Sequence, residues 1–287
     1  MGGQSMTKMI FNDQIMEREN IVDIEDRAYQ FGDGIYEVIG VYGGKPFLLD
    51  EHMERLQRSA KEIQLSLPYT MEQLRRNLVQ LVKTNELDEG IIYMQVSRGV
   101  SSREHYFPGN SITPVTIAYT RAEERMSATE DAGATAVLVE DIRWLRCDIK
   151  TLNLLPNTLA KQKAVENNAI EAILHRGDTV TEASASNVFI VKEGELFTHP
   201  ANNYILNGIT RRKVIQLCES LGIQVHEEAF TVKTLLQADE VFVTATKSDI
   251  IPILKIDNQS IGQESPGKIT RKIIQSFRSA IRELEKS

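Results

Sequence analysis

Apolar and polar positions form short alternating runs at the start of the chain. Residues 9 to 16 place apolar side chains on either side of Asn12-Asp13, and residues 41 to 49 do the same around Gly43-Gly44. A turn pair flanked by such runs predicts a β-hairpin at each place. From Asp50 to Leu65 the period lengthens: Met53, Leu56, Ala60 and Ile63 recur at three- and four-residue intervals, one stripe of an amphipathic helix with Asp50 as its cap. Thr70 followed by Gln73 is a capping box that opens a second helix, whose stripe is Met71, Leu74, Leu78 and Leu81. Both helices are expected to cover one face of a sheet completed by β-branched and aromatic runs at Ile91 to Val96 and Pro114 to Thr120.

The polar stretch Arg121 to Ala128 closes this region and predicts a domain boundary, with a small α/β domain over residues 1–124 and a larger one over 125–287. Beyond it, strand-like runs at Ala134 to Val139, Glu171 to His175, Asn187 to Val191 and Glu240 to Ala245 alternate with helix-like runs. The helical runs are Asn157 to Asn168, Thr210 to Leu221 and Lys268 to Leu284, and Gly222 supplies a C-terminal stop for the middle one. The fold class expected is mixed α+β, without internal repeats.

Composition narrows the function. A length of 287 residues suits two domains, since one domain commonly takes roughly 100 to 200. A hydrophobic share of 41% and a charged share of 25% are those of a globular protein with a sizeable core. The net charge of -7 argues against a nucleic-acid partner, which calls for a basic face. No apolar run approaches bilayer length, and the first ten residues lack the basic start and apolar stretch of a secretory signal, so no membrane partner is expected. Met6 is read as the natural start, preceded by Met1 to Ser5. Two cysteines, Cys147 and Cys218, make neither a disulfide framework nor a zinc spacing, which fits the reducing cytoplasm.

Several chemistries are excluded by spacing. Gly262, Gly267 and Lys268 are placed like a phosphate-binding loop, but Ile269 stands where a hydroxyl is needed, and the stretch reads as the start of a helix. Gly32 and Gly34 lack the third glycine of a dinucleotide fingerprint. The five histidines show no metal-ligand spacing, so no metal site is expected, and no G-x-S-x-G elbow occurs.

Three stretches interrupt the apolar pattern with polar residues. In Glu140 to Leu155, Lys150 stands between Ile149 and Leu152, where weak solvation favours the free amine that a Schiff base needs. The same pattern is met by a lysine whose stem packs while its head reaches water or pairs with Asp148. Thr181 to Asn187 packs small hydroxyl residues around Glu182, so that a flat cofactor could approach and a carboxylate could meet a pyridine nitrogen; as an isolated string it is also a polar turn. In Asn207-Gly-Ile-Thr-Arg211 a glycine leads into a helix whose amides and Thr210 hydroxyl suit a phosphate, and plain capping by Thr210 accounts for it equally.

Taken together, Tyr29 to Glu37, Glu51 to Arg55, Glu140 to Lys150, Thr181-Glu182 with Ser186-Asn187, and Leu206 to Arg211 resemble the motif series of the D-amino-acid aminotransferases, in order and at compatible spacings. That family belongs to the class IV, fold type IV, pyridoxal-phosphate (PLP) enzymes. The resemblance implies a small N-terminal α/β domain and a larger, mixed, β-barrel-like C-terminal domain. It implies PLP as cofactor, with Lys150 as the Schiff-base lysine, Glu182 facing the pyridine nitrogen, and Arg55, Ile209, Thr210 and Thr246 at the phosphate. Ala245 stands where relatives often carry serine, and Ala183 and Ala185 where they often carry glycine and serine.

Arg103-x-His105 resembles the family's trap for a substrate carboxylate, with Tyr36 nearby; a planar guanidinium matches a carboxylate bidentately. In the family these groups come from the second subunit, which implies a homodimer. The implied reaction is ping-pong transfer of the amino group of a D-amino acid such as D-alanine to 2-oxoglutarate, giving pyruvate and D-glutamate. Branched-chain L-amino-acid aminotransferases and aminodeoxychorismate lyases share the fold, the lysine and the glutamate and differ in the substrate pocket.

Overall fold

The computed structural model describes residues 7–109, 112–124, 132–263 and 265–286. The expected start at Met6 and the part of the polar boundary from residue 125 to 128 lie outside the described residues. The chain divides into two compact units. One comprises Met1–Arg125, Ile149–Asn153 and Leu284–Ser287; the other comprises Met126–Asp148 and Leu154–Glu283. A division by sequence position does not anticipate that the five residues around Lys150 fold with the first unit.

In the first unit the hairpin around Asn12-Asp13 forms between β1 (Lys8–Phe11) and β2 (Gln14–Glu17), with Asn12 in the left-handed region. Asp26 caps a short helix, α1 (Arg27–Phe31), that no apolar period announces. The strand β3 (Gly34–Tyr42) turns through Gly43-Gly44 into β4 (Lys45–Pro46), as the second hairpin. Helices α2 (Leu49–Glu62) and α3 (Met71–Thr84) follow, then β5 (Gly90–Ser97) and β6 (Val115–Ala122). The sheet order is β2-β1-β6-β5-β3-β4.

The two amphipathic helices cover one face of this sheet: Met53, Leu56, Ala60, Leu74, Leu78 and Leu81 share a core with Ile10, Ile35, Ile39 and Ile92, while Met71 is only partly buried. Thr70 and Gln73 make the full capping box. Asp50 is not the cap of α2. That position belongs to Leu48, at a left-handed φ of 53° and with no side-chain bond, so Asp50 falls in the first turn and pairs with Arg75 at 2.6 Å. Across the sheet's other face, Tyr36, Tyr93 and Tyr119 form a row of rings with centroids 5.9 and 5.2 Å apart.

The second unit contains β7 (Ala134–Glu140), α4 (Leu155–Glu166), β8 (Glu171–Arg176), β9 (Thr179–Ala183), β10 (Asn187–Lys192), β11 (Glu195–Thr198) and α5 (Ile209–Leu221). It continues with β12 (Val225–Glu227), α6 (Val232–Leu236), β13 (Glu240–Ala245), β14 (Asp249–Ile256), β15 (Gln259–Ser260) and α7 (Lys268–Lys286), whose last residues return to the first unit. The strands run β12-β11-β10-β13-β14-β7-β8-β9, with β15 on β14. Parallel pairs at β11/β12, β14/β7 and β7/β8 are mixed with antiparallel ones.

One connection fixes the curvature of this sheet. The strands β9 and β10 are five strand intervals apart in the order, roughly 24 Å in a flat sheet at about 4.8 Å per interval. Only residues 184–186 join them, and that short link spans at most roughly 14 Å. The sheet therefore curls into a partial barrel, and the residues around Glu182 lie on its closing seam.

Gly222 ends α5 at a φ of 68°, as expected. The Gly267-Lys268 segment is a helix start: the Glu240 carboxylate accepts from the Ile269 and Thr270 amides at 3.1 and 2.7 Å, which occupies the first turn of α7. Among the described residues no helix is long and apolar enough to cross a membrane.

Candidate active site

The first unit presents Lys150 beside β3. The bridge between Ile35 and Thr151 and the Tyr36 N–H donating to Lys150 O at 3.0 Å hold the segment against the strand. Its Nζ lies 4.2 Å from the centroid of the Tyr36 ring, and the side chain is half-buried. The face of an aromatic ring attracts a cation. Lys150 thus places its amine at the Tyr36 end of the tyrosine row.

On the opposite face of β3, alternation places Glu37 in phase with Ile35 and Ile39, inside the core. Its carboxylate accepts from Arg55 Nε and Nη2 at 2.8 and 2.7 Å and meets His52 Nδ1 at 2.7 Å. Burial pushes the Glu37 carboxyl up, but Arg55 and His52 outweigh it and hold it at about 2. Burial also pushes His52 below its ordinary value, against the pull of Glu37. Arg55, expected at a phosphate, is thereby oriented by a buried carboxylate.

Arg103 and His105 lie in an exposed loop of the same unit. Both approach Phe31: the Arg103 guanidinium is 5.0 Å from its centroid, and the His105 ring is 5.5 Å away.

In the second unit Glu182 lies near the end of β9 and is buried. One oxygen pairs with Arg143 Nη1; the other accepts from Asn187 Nδ2 at 2.9 Å and from the Leu206 N–H at 3.0 Å. Burial pushes the Glu182 carboxyl up, and Arg143 pulls it back. The isolated polar-turn alternative for Thr181 to Asn187 thus covers only its middle, because Thr181 to Ala183 are strand.

Gly208, not Thr210, is the N-cap of α5, and no side chain caps the helix. The first-turn amides, those of Ile209 and Thr210 among them, have no acceptor within their own helix. Thr210 is buried in that turn, and Thr246 is half-buried in the turn after β13. Thr244 pairs with Asn187 across β13 and β10, and its buried hydroxyl has no partner among the described residues. An uncapped helix start and a buried orphan hydroxyl on the neighbouring strand supply donors that suit a phosphate, and the buried carboxylate supplies an acceptor that suits a protonated ring nitrogen. The second unit thus offers groups that suit the phosphate and ring nitrogen of PLP, and in the first unit Lys150 offers an amine of the kind a Schiff base needs.

Glu37, His52, Asp141, Arg143 and Asn187 receive no role from the sequence. One signal is available there: Glu37 occupies a core phase of an otherwise apolar strand. His52 and Arg143 reach Glu37 and Glu182 across 15 and 39 positions, while the Asp141–Arg143 and Asn187–Glu182 contacts are local in the chain but follow no motif spacing. Among the described residues no cluster of His, Cys, Asp and Glu could hold a metal.

The Amino-transferase class IV family matches residues 34–256. The chain belongs to that family. It is an aminotransferase, and its mixed α+β architecture is that of fold type IV. It is 48% identical over 277 residues to a D-alanine aminotransferase of Staphylococcus haemolyticus, covering 96% of this chain and 98% of the relative. Among solved structures, the branched-chain amino acid aminotransferase of Escherichia coli matches with a TM-score of 0.91 and 26% identity, over 96% of this chain and 94% of that one. A branched-chain aminotransferase of the archaeon Thermoproteus uzoniensis, solved with norvaline, matches with a TM-score of 0.86 and 29% identity, over 98% and 96% of the two chains.

Proposed function

We propose that this aminotransferase is a D-amino-acid transaminase that moves the amino group of a D-amino acid such as D-alanine to 2-oxoglutarate, giving pyruvate and D-glutamate. The observation that carries this reading is the 48% identity to a D-alanine aminotransferase across 96% of the chain. The branched-chain enzymes of the same fold stand at 26% and 29%, which makes that specificity the weaker reading.

PLP, when bound, would supply an electrophilic carbon for an amine and a ring that can take up the electrons released at the substrate α-carbon. Lys150 holds the cofactor and moves the proton at the α-carbon. Glu182 faces the ring nitrogen. Arg55, the Ile209 and Thr210 amides and Thr246 bind the phosphate. Tyr36 lines the substrate side next to Lys150. Arg103 and His105 receive the substrate carboxylate and are supplied by the second subunit of a homodimer. Their exposure, next to the exposed Tyr106 and Phe107, supports a role toward a partner copy. The division into domains 1–124 and 125–287 and a cytoplasmic location, in keeping with two free buried cysteines, complete the reading.

The test is the absorption spectrum of the PLP-saturated protein before and after D-alanine, with L-leucine in parallel. Loss of the cofactor's visible band with D-alanine alone is the expected result. A response to L-leucine alone moves the chain to the branched-chain specificity, and no visible band at all removes the cofactor assignment.

A further inference from the structure

The chain of charges behind Glu182 has no role in the reading above, yet each oxygen of its central carboxylate, Asp141, is held by at least two donors. Asp141 Oδ1 accepts from Arg143 Nε at 2.9 Å and from the Arg143 N–H at 3.1 Å; Oδ2 accepts from Arg143 Nη2 at 2.8 Å, Arg176 Nε at 3.1 Å and Thr181 Oγ1 at 3.0 Å. Arg143 Nη2 also donates to Tyr204 O at 3.1 Å, and Nη1 is aimed at Glu182. The Arg143, Asp141 and Glu182 side chains are 6%, 0% and 7% exposed. Arg176, which is half-buried, Asp141, Arg143 and Glu182 alternate in sign along the cluster.

We propose that Arg143, clamped by Asp141, is a positioning residue that sets the charge and the aim of Glu182 toward the cofactor ring. The inference rests on the assignment of Glu182 to the ring nitrogen. A carboxylate meeting a ring nitrogen supports a protonated ring only while it is itself anionic. Glu182 is buried, and its other two donors, Asn187 and the Leu206 N–H, are neutral. Burial alone favours the protonated acid, and Arg143 is the cation that opposes it. The groups facing the pair are Asp141, Arg176 and the Cys147 thiol, which burial pushes up to about 11 and so leaves uncharged at neutral pH. Asp141 is held at about 2 despite burial, chiefly by Arg143, so it stays anionic and keeps the clamp closed. Without Arg143 no cation opposes burial at Glu182, the protonated acid is favoured further, and its support for a protonated cofactor ring would weaken.

The test compares the parent with Arg143→Gln, Arg143→Lys and Arg143→Gln/Glu182→Gln. Borohydride trapping first locates PLP on Lys150 in the parent; failure there defeats the proposed function and is separate from any effect of Arg143. With PLP, Arg143→Gln is expected to slow the D-alanine half-reaction about 10- to 100-fold, the range for removing an oriented outer partner. With 1-deazapyridoxal phosphate, where C–H replaces the ring nitrogen, the same substitution is expected to leave the residual rate unchanged. Arg143→Lys keeps the charge and is expected to recover most of the rate.

The second readout needs no cofactor. In Arg143→Gln the folded-state pKa of Glu182 rises further above its unfolded value, so stability is retained at low pH and lost as pH rises through the folded value. The melting-temperature deficit relative to the parent is expected to widen as pH rises from 5 to 8, and the added Glu182→Gln is expected to reduce the widening to the part that Asp141 contributes once Arg143 no longer holds it down. If Arg143→Gln does not fold, Asp141→Asn, which loosens the clamp on Arg143, carries the same comparison: a rate loss with PLP and none with the deaza cofactor is expected. An equal rate loss with both cofactors, or a deficit that does not change with pH, overturns the proposal.

Discussion

Lys150 and Tyr36 are joined twice: the Tyr36 N–H donates to Lys150 O at 3.0 Å, and Lys150 Nζ stands 4.2 Å from the centre of the Tyr36 ring. The backbone bond fixes where the lysine leaves the chain, and the ring face fixes where its amine comes to rest. A strand residue thus aims a side chain that lies more than a hundred positions away in sequence.

Lys150→Ala is expected to abolish multiple turnover with D-alanine and 2-oxoglutarate. Tyr36→Phe keeps the ring face, while Tyr36→Leu removes a cation–π contact of about 0.5 to 2 kcal/mol, a factor of roughly 2 to 30 in rate if it is lost at the transition state. Steady-state rates for the three variants decide it. Normal turnover by Lys150→Ala removes the central assignment.

The Glu37 cluster makes the fold sensitive to acid. Its carboxyl drops from an ordinary 4.5 to about 2, which corresponds to about 3 kcal/mol of stability. The sign follows from the depressed value: the contribution is complete above 4.5 and disappears as pH falls toward 2. His52, which burial pushes down, adds a loss of the same sign that begins below 6.5. Glu37→Gln leaves Arg55 buried without its carboxylate and is expected to cost about 3 to 5 kcal/mol at neutral pH while flattening the acid slope. Thermal unfolding between pH 7 and pH 3 is the measurement, and a variant with the parent's full slope would contradict the role given to Glu37.

Thr70→Ala removes the side-chain half of the capping box on α3 and is expected to cost about 1 kcal/mol. Gln73→Ala removes the reciprocal half, and because each half orders the other, the double variant should cost less than the sum. A double-mutant cycle by chemical denaturation measures the coupling. Strict additivity would show that the two bonds act independently.

Most of the architecture is legible from local pattern. The stripes of α2 and α3 are true core faces, and the Asn12-Asp13 and Gly43-Gly44 turns form hairpins, because period and turn chemistry are local properties. The strand Asp249–Ile256 escapes that pattern because Pro252 argues against a central strand. The structure accommodates it opposite Phe242, with a register shift toward β7 just beyond, between Ile253 and Lys255. Asp50 passes for a cap because a left-handed Leu48 leaves no trace in a hydrophobic pattern. Motif order singles out Lys150 and Glu182. The groups that orient the site, Glu37 on Arg55 and Arg143 on Glu182, join residues far apart in the chain, and no spacing rule reports them.

Gly208 tests whether Asn187 matters through Glu182. Its backbone, at φ -62° and ψ 143°, suits any residue, so the requirement for glycine is one of space. A Cβ there would lie 2.1 Å from Asn187 Oδ1, and the Asn187 amide donates at 2.9 Å to Glu182 and at 2.8 Å to Leu206 O. Gly208→Ala therefore displaces the amide and removes a donor from the carboxylate, with an expected loss of about tenfold in PLP affinity. Gly222→Ala is the control: at φ 68° it strains the end of the same helix by roughly 1 to 2 kcal/mol but meets nothing within 4 Å. It should lower the melting temperature and leave cofactor affinity intact. If both variants weaken PLP binding equally, the effect comes from the stability of α5, and Asn187 has no separate part in holding Glu182.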